Sequence, residues 1–91
     1  MKKFLITYDL NAVGKDYSGL YQLIKDIAPN AWIHPLESVW CIKLSNEWNS
    51  SEIYTRLKPA IDTNDNLFII EMTDQDRQGW MPKSFWTWIK E

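Results

Sequence analysis

The chain is poor in the residue types on which several kinds of function depend. It contains one cysteine, Cys41, so no disulfide can form within it, and one histidine, His34. A lone cysteine in the strand-like segment VWCIKL is typical of a small buried hydrophobic side chain, not of a nucleophile. Since His34 has no cysteine or acid placed to complete a catalytic pair, it too is predicted to be structural.

Long apolar runs and nucleotide-binding motifs are missing as well. No apolar segment approaches the ~20 residues that a membrane span needs. The first segment, MKKFLITYDL, is interrupted by Asp9 and lacks a small-residue cleavage site, so it predicts a first strand and not a signal peptide. There is no P-loop, dinucleotide fingerprint, nucleophile elbow or zinc-ligand spacing. The sequence therefore predicts a cytoplasmic protein with no membrane partner.

The chain also lacks an excess of positive charge. Ten basic and twelve acidic residues give a formal net charge of -2, and the basic residues are scattered along the sequence. A protein that grips nucleic acid mainly through its phosphates is usually more basic than this. The composition therefore makes nucleic-acid binding depend on a local patch.

Aromatic residues, by contrast, are abundant. Residues 1–91 predict one domain, and a chain of this length buries roughly 60–65% of its unfolded surface. Six of its residues are tryptophan, which is more than so small a core is expected to enclose. Some of these rings are predicted either to line a self-association or binding surface, or to cap the edges of the core.

The first half of the chain predicts a strand, a helix and a hairpin. Phe4–Asp9 alternates with apolar residues on both faces, which is typical of a central strand. Tyr17–Ala28 has the helical period, and Pro29 ends that helix. The segments AWIHPLES and SVWCIKLS predict a hairpin that turns at Leu36–Ser38, with Pro35 at a bulge or an edge position.

The second half predicts a helix, a strand and a final short helix. The segment NSSE, from Asn49 to Glu52, resembles a capping box that starts a helix reaching Ile61, and Pro59 should kink or shorten its end. NLFIIEMT predicts a fourth strand. PKSFWTWIKE predicts a short helix that begins near Pro82.

This order of elements predicts an α+β fold. A β-α-β-β-α-β chain is typical of the ferredoxin-like sandwich, in which two helices pack on one face of a four-stranded antiparallel sheet. The first and third strands would be central, and the fourth would be an apolar edge that needs covering or pairing. We therefore expect a homodimer, in which the tryptophan-rich tail helps to bury the sheet face opposite the two helices.

Asp9 is the main candidate for a metal ligand. It ends a central strand, and a carboxylate there is suited to Mg²⁺ or Mn²⁺, which prefer oxygen ligands. One carboxylate makes a poor site, but a symmetric dimer supplies two. The alternative is that Asp9 caps a turn or pairs with Lys15.

Several segments carry a resemblance to a known family. The first strand ending in Tyr8-Asp9-Leu10 resembles that of the CRISPR-associated Cas-two proteins, which are small ferredoxin-like homodimers. The segments GKDYSGLYQLIK, WIHPLESVWCIK and GWMPKSFWTWIK are similar to a short branch labelled SinR-like or Cas-two-like. The resemblance implies that Asp9 is a metal ligand. It also implies a possible activity on RNA, because the VapD-like toxins on this fold cut RNA. The acidic balance argues against DNA bridging, and the helical C-terminus argues against assembly through a further strand.

Two functional hypotheses follow. In the first, the protein is a metal-dependent endonuclease whose expected substrate is RNA, with DNA as a second possible substrate. Asp9 from each chain holds Mg²⁺ or Mn²⁺, which activates water. Asn11, Lys15 or Ser38 orients the substrate.

In the second hypothesis, the chain keeps the fold without the chemistry and acts as a protein-interaction or nucleic-acid-binding module. Trp80, Trp86 and Trp88 would then form a surface for a protein partner. A third possibility, a regulatory domain that binds a small molecule, rests on analogy with other proteins of the fold.

Overall fold

A computed structural model describes residues 1–91 as an α+β fold with one four-stranded antiparallel sheet and three helices, an arrangement compatible with the ferredoxin-like class. The strands are β1 (Lys2–Asp9), β2 (Trp32–Leu36), β3 (Val39–Leu44) and β4 (Asn66–Glu71). The helices are α1 (Ser18–Ile27), α2 (Ser50–Leu57) and α3 (Lys83–Lys90). The strand order is β2-β3-β1-β4, so β1 and β3 are central, as the sequence predicts.

The main core lies between the sheet and helices α1 and α2. Alternate residues of the two central strands point towards these helices, as the pleat of a strand requires. The fully buried side chains of this layer are Phe4, Ile6, Leu20, Ile24, Ile42, Ile53 and Leu57. The opposite side of the sheet, here called the outer face, therefore carries the remaining alternate residues.

Helix α2 begins at the predicted cap but ends at Leu57, before the predicted end at Ile61. The Asn49 side chain accepts a hydrogen bond from the backbone N–H of Glu52 at 2.9 Å, which satisfies one free donor of the first turn. The α-helix ends at Leu57, and a 3₁₀ turn containing Pro59 follows over Lys58–Ala60. The proline therefore shortens the helix, as predicted.

Helix α3 covers part of the outer face. Its Ile89 is buried and lines the same cavity as Leu5 and Cys41, which lie on the outer face of β1 and β3. The Lys43 ammonium lies 4.2 Å from the centre of the Trp88 ring. The tryptophan-rich tail thus packs against the sheet face opposite α1 and α2 within one chain.

The hairpin between β2 and β3 turns tightly. Leu36 pairs with Val39, and the ladder register shifts between Ile33 and Leu36, around Pro35. This irregularity is the bulge that Pro35 predicts. None of the helices is long and apolar enough to cross a membrane.

Candidate functional site

Asp9 lies at the open end of the outer face. It is exposed, it is the last residue of β1, and it pairs with Asn66 at the start of β4. Its carboxylate makes no hydrogen bond or ion pair, and only its backbone oxygen accepts a weak 3.4 Å bond from the Asn11 amide. The predicted alternative partner, Lys15, turns instead towards Asp62, at 3.9 Å. The Asp9 carboxylate is therefore free to bind a cation or a partner.

The three residues that are predicted to orient a substrate lie in two different places. Ser38 lies at the same end of the sheet as Asp9, because its backbone oxygen accepts the N–H of Tyr8 at 3.2 Å. Asn11 instead bonds to the turn before β4, since its side-chain amide donates to the Asn64 oxygen at 3.0 Å. Lys15 donates to the Ala60 oxygen at 3.2 Å. Asn11 and Lys15 thus hold a loop in place.

Asp65 is the centre of that loop arrangement, and sequence reasoning missed it. Its Oδ1 atom accepts the Tyr17 hydroxyl at 2.6 Å and the Asn11 N–H at 2.7 Å. Its Oδ2 atom accepts the Asp62 N–H at 2.8 Å. Burial acts to raise the pKa of Asp65, but these donors and the nearby Lys15 cation outweigh it and lower the pKa. The only signal in the sequence was the polar turn DTNDN.

One chain does not assemble a conventional metal centre. No group of three or more histidine, cysteine, aspartate or glutamate side chains is placed to hold an ion. Asp9 and Asn66 border the same shallow cavity, so each chain offers one carboxylate and one neighbouring amide there. A divalent cation, which takes six or more oxygen ligands, would need further ligands from water, substrate or another chain.

An aromatic cluster fills the space beneath the β2–β3 hairpin. The His34 ring stacks on Trp40 with ring centres 4.0 Å apart, and Tyr21 packs on Trp40 at 5.8 Å. The Tyr8 hydroxyl accepts the Trp40 N–H at 3.0 Å and donates to the Glu37 oxygen at 3.2 Å. Burial raises the pKa of Tyr8 to about 12. The His34 Nε2 atom lies 3.0 Å from the Glu37 backbone oxygen, so its N–H donates to that oxygen and helps to hold the hairpin.

Cys41 lies on the outer face under α3 and is 1% exposed. Burial raises the pKa of its thiol to about 11. A protonated, enclosed thiol is a poor nucleophile. The position agrees with the prediction of a small buried hydrophobic side chain.

A row of outer-face residues crosses all four strands next to the Asp9 end. Leu36 pairs with Val39, Val39 pairs with Thr7, and Thr7 pairs with Phe68. The two ends of this row are open, since Leu36 is 53% exposed and Phe68 58% exposed, whereas Val39 and Thr7 between them are half-buried. Ile70, which pairs with Leu5 in the next row on the same face, is about half exposed. Leu36, Val39, Thr7 and Phe68, together with the adjoining Ile70, are here called the open row.

The three tryptophans of the tail occupy different surroundings. Trp80 is fully exposed in the segment before α3. Trp86 lines a cavity of about 300 Å³ between α3 and the sheet, where it faces Gly79. Trp88 lies on the other flank of the helix, where its ring packs against Lys43. Only Trp80 is thus presented entirely to solvent.

Comparison with known proteins adds no assignment to this geometry. No model of a protein family matches the sequence. A search of curated proteins finds no match either.

Proposed function

We propose that the chain is a cytoplasmic, Cas-two-like homodimer of the ferredoxin-like fold that binds a protein partner through the open row. The observation that carries the proposal is the exposure of Leu36 and Phe68 at the two ends of one continuous outer-face row. A row that is apolar at three of its four positions and exposed at both ends is typical of interaction sites on small soluble domains. Scattered single apolar side chains would not carry the same weight.

Trp80 lies next to the open row and belongs to the same proposed binding surface. Its neighbours Gly79 and Met81 line the cavity between α3 and the sheet, beside Leu36. A free indole next to an apolar row is suited to act as an anchor, because large rings that are desolvated on binding dominate interface energies. The acidic balance of the chain also fits a protein partner better than a polyphosphate one.

The test is a comparison of partners recovered by crosslinking in cells. Leu36→Ser and Trp80→Ser should each remove the proteins that crosslink to the wild-type chain. Val13→Ser is the matched control, because Val13 is a fully exposed apolar residue on a different loop. Retention of the same partners by Leu36→Ser and Trp80→Ser would refute the proposal.

A second candidate is metal-dependent cleavage of RNA, which the unpaired carboxylate of Asp9 favours. Asp9 would bind Mg²⁺ or Mn²⁺ together with Asn66 and water, and the ion would activate water and neutralise charge on the phosphate. Ser38, at the same end of the sheet, would contact the substrate. Two outer faces packed against each other about a two-fold axis would supply a second Asp9 to one ion.

The cleavage test uses labelled single-stranded RNA and double-stranded DNA with Mg²⁺, Mn²⁺ or EDTA. Asp9→Asn should reduce metal-dependent cutting at least about 100-fold, because it removes the charged ligand. Asp76→Asn is the matched control, since Asp76 is exposed, makes no hydrogen bond or ion pair, and lies in a loop. Equal cutting by wild type and Asp9→Asn would exclude this candidate.

A further inference from the structure

Strand β4 has one edge that is not paired with another strand. The backbone groups that point out of this edge can be identified. Beyond the end of β4, the N–H of Met72 donates to the Lys3 oxygen at 2.8 Å, so residue 72 points its backbone towards β1. Backbone direction alternates along a strand. The N–H and C=O groups of Leu67, Ile69 and Glu71 therefore point away from the sheet into solvent.

Strand β4 carries little protection at that edge, since its one charged residue, Glu71, is the last of the strand. The strand NLFIIE contains no proline, lysine or arginine, and it pairs with β1 in one unbroken register. Natural edge strands usually carry such residues or a bulge, which prevent pairing with another chain. A weakly protected edge beside the exposed Phe68 and Ile70 is therefore suited to receive another strand.

We infer that β4 pairs antiparallel with β4 of a second copy, with the two-fold axis at Ile69. Ile69 then lies opposite the partner's Ile69, and Leu67 lies opposite the partner's Glu71. The outward backbone groups of both strands form about six hydrogen bonds. On the outer face, Phe68 lies opposite the partner's Ile70, so these exposed side chains pack side by side and the open rows of the two copies meet on one face.

Charge complementarity supports a second copy as the occupant. Lys58 lies beside Leu67 in the groove between α2 and the start of β4. Glu71 pairs with Phe4, so its side chain lies on the helix side of the sheet, as Lys58 does. Neither Lys58 nor Glu71 has an ion-pair partner within its own chain. In the inferred register, the partner's Glu71 meets Lys58, and the two-fold axis repeats this contact.

The other charged groups in that groove are already engaged. Asp62 pairs with Lys15, and Asp65 accepts three hydrogen bonds. Lys58 is therefore the only free charge in that groove. Tyr54 of α2, which is about half exposed, borders Leu67 and Ile69 and would be covered by the second copy.

This pairing also fixes the relation between the two Asp9 residues. Three strand spacings of roughly 4.8 Å and a six-residue offset along the strands place the two carboxylates roughly 25 Å apart. Ligands of one divalent ion lie within about 2.6 Å of it. The inferred dimer therefore gives each Asp9 its own separate site and is incompatible with one ion shared by both. The inferred pairing through β4 rests on the proposed function in one respect only, namely that the protein forms a homodimer.

The first test is a charge exchange followed by analytical ultracentrifugation. Lys58→Glu and Glu71→Lys should each weaken dimerisation about tenfold or more, because like charges then meet at both symmetric contacts. An equimolar mixture of the two variants should recover the wild-type affinity, because both contacts become attractive in the mixed dimer. Lys83→Glu, an exposed change on α3, is the matched control and should leave the affinity unchanged. Failure of the mixture to recover would overturn the inference.

The second test reads the register from disulfide formation in a Cys41→Ala background. A mixture of Phe68→Cys and Ile70→Cys chains should oxidise to a covalent dimer, because these positions face each other as a non-hydrogen-bonded pair. Phe68→Cys alone should not, because its two copies lie about 8 Å apart, beyond disulfide reach. Crosslinking of Phe68→Cys alone would overturn the register while leaving a dimer. A monomer at all concentrations would overturn both the register and the proposed homodimer.

Discussion

Replacing Ile89 by alanine should release helix α3 from the outer face without unfolding the rest of the protein. Ile89 is 1% exposed and is the only fully buried residue of α3. Truncation of a buried isoleucine to alanine costs about 2–4 kcal/mol through lost burial and the remaining cavity. Because Ile89 packs on one side of the sheet and the main core on the other, most of this cost should fall on the docking of α3.

Cys41 provides the assay, because α3 covers it. Burial raises the pKa of the thiol to about 11, so the enclosed form should react negligibly with a thiol reagent near pH 8. Labelling then requires opening, and its rate reports the opening equilibrium. A loss of 2–4 kcal/mol corresponds to a labelling rate about 30-fold to about 1,000-fold higher in Ile89→Ala.

Ile53→Ala is the matched control. Ile53 is equally buried, but on the helix α2 side of the sheet. It should lower the global free energy of unfolding, measured in urea, by a similar amount, while raising Cys41 labelling only through complete unfolding. If Ile89→Ala and Ile53→Ala change labelling equally at equal global destabilisation, α3 does not open independently and the reasoning is wrong.

Three further predictions concern the caps, the loops and high pH. Asn49→Ala should lower the free energy of unfolding by about 1 kcal/mol in urea titration, because a free N–H of the first turn of α2 loses its acceptor. Asp65→Ala should speed amide hydrogen exchange at Asn11 and Asp62, whose N–H groups bond to its carboxylate, with no increase in Cys41 labelling; unchanged exchange would contradict the assigned role. Since burial raises the pKa of Tyr8 from 10.0 to about 12, its contribution to stability is complete below pH 10 and is lost as the pH rises towards 12. Tyr8→Phe should remove that part of the alkaline decrease in melting temperature, and an identical decrease in both proteins would contradict it.

Local chemistry explains which parts of the fold could be predicted from the sequence. The Asn49 cap, the shortening of α2 at Pro59 and the bulge at Pro35 each follow from the geometry of a few adjacent residues. The first strand has apolar residues on both faces, which predicted its central position in the sheet. This signal also comes from adjacent residues alone. Such signals need no knowledge of distant contacts.

The candidate site was less predictable because its contacts join distant parts of the chain. The bond from the Asn11 N–H to Asp65 spans 54 residues, and nothing near Asn11 indicates it. The sequence does not indicate whether Lys15 pairs with Asp9 or with Asp62. Only the arrangement of the folded loops brings Lys15 to Asp62. The position of Lys58 beside β4 likewise depends on how α2 packs against the sheet.

The bulge at Pro35 has a consequence for assembly at the other side of the sheet. The β2 edge is interrupted there by a residue with no backbone N–H, so it offers a poor template to an incoming strand. A chain with two receptive edges can add copies without end and grow into a fibre, whereas a chain with one can only close on itself. Pairing through β4 therefore ends with two copies. Pro35→Val would restore a backbone donor to the β2 edge, and it should shift the protein from a closed pair towards open-ended aggregates that scatter light.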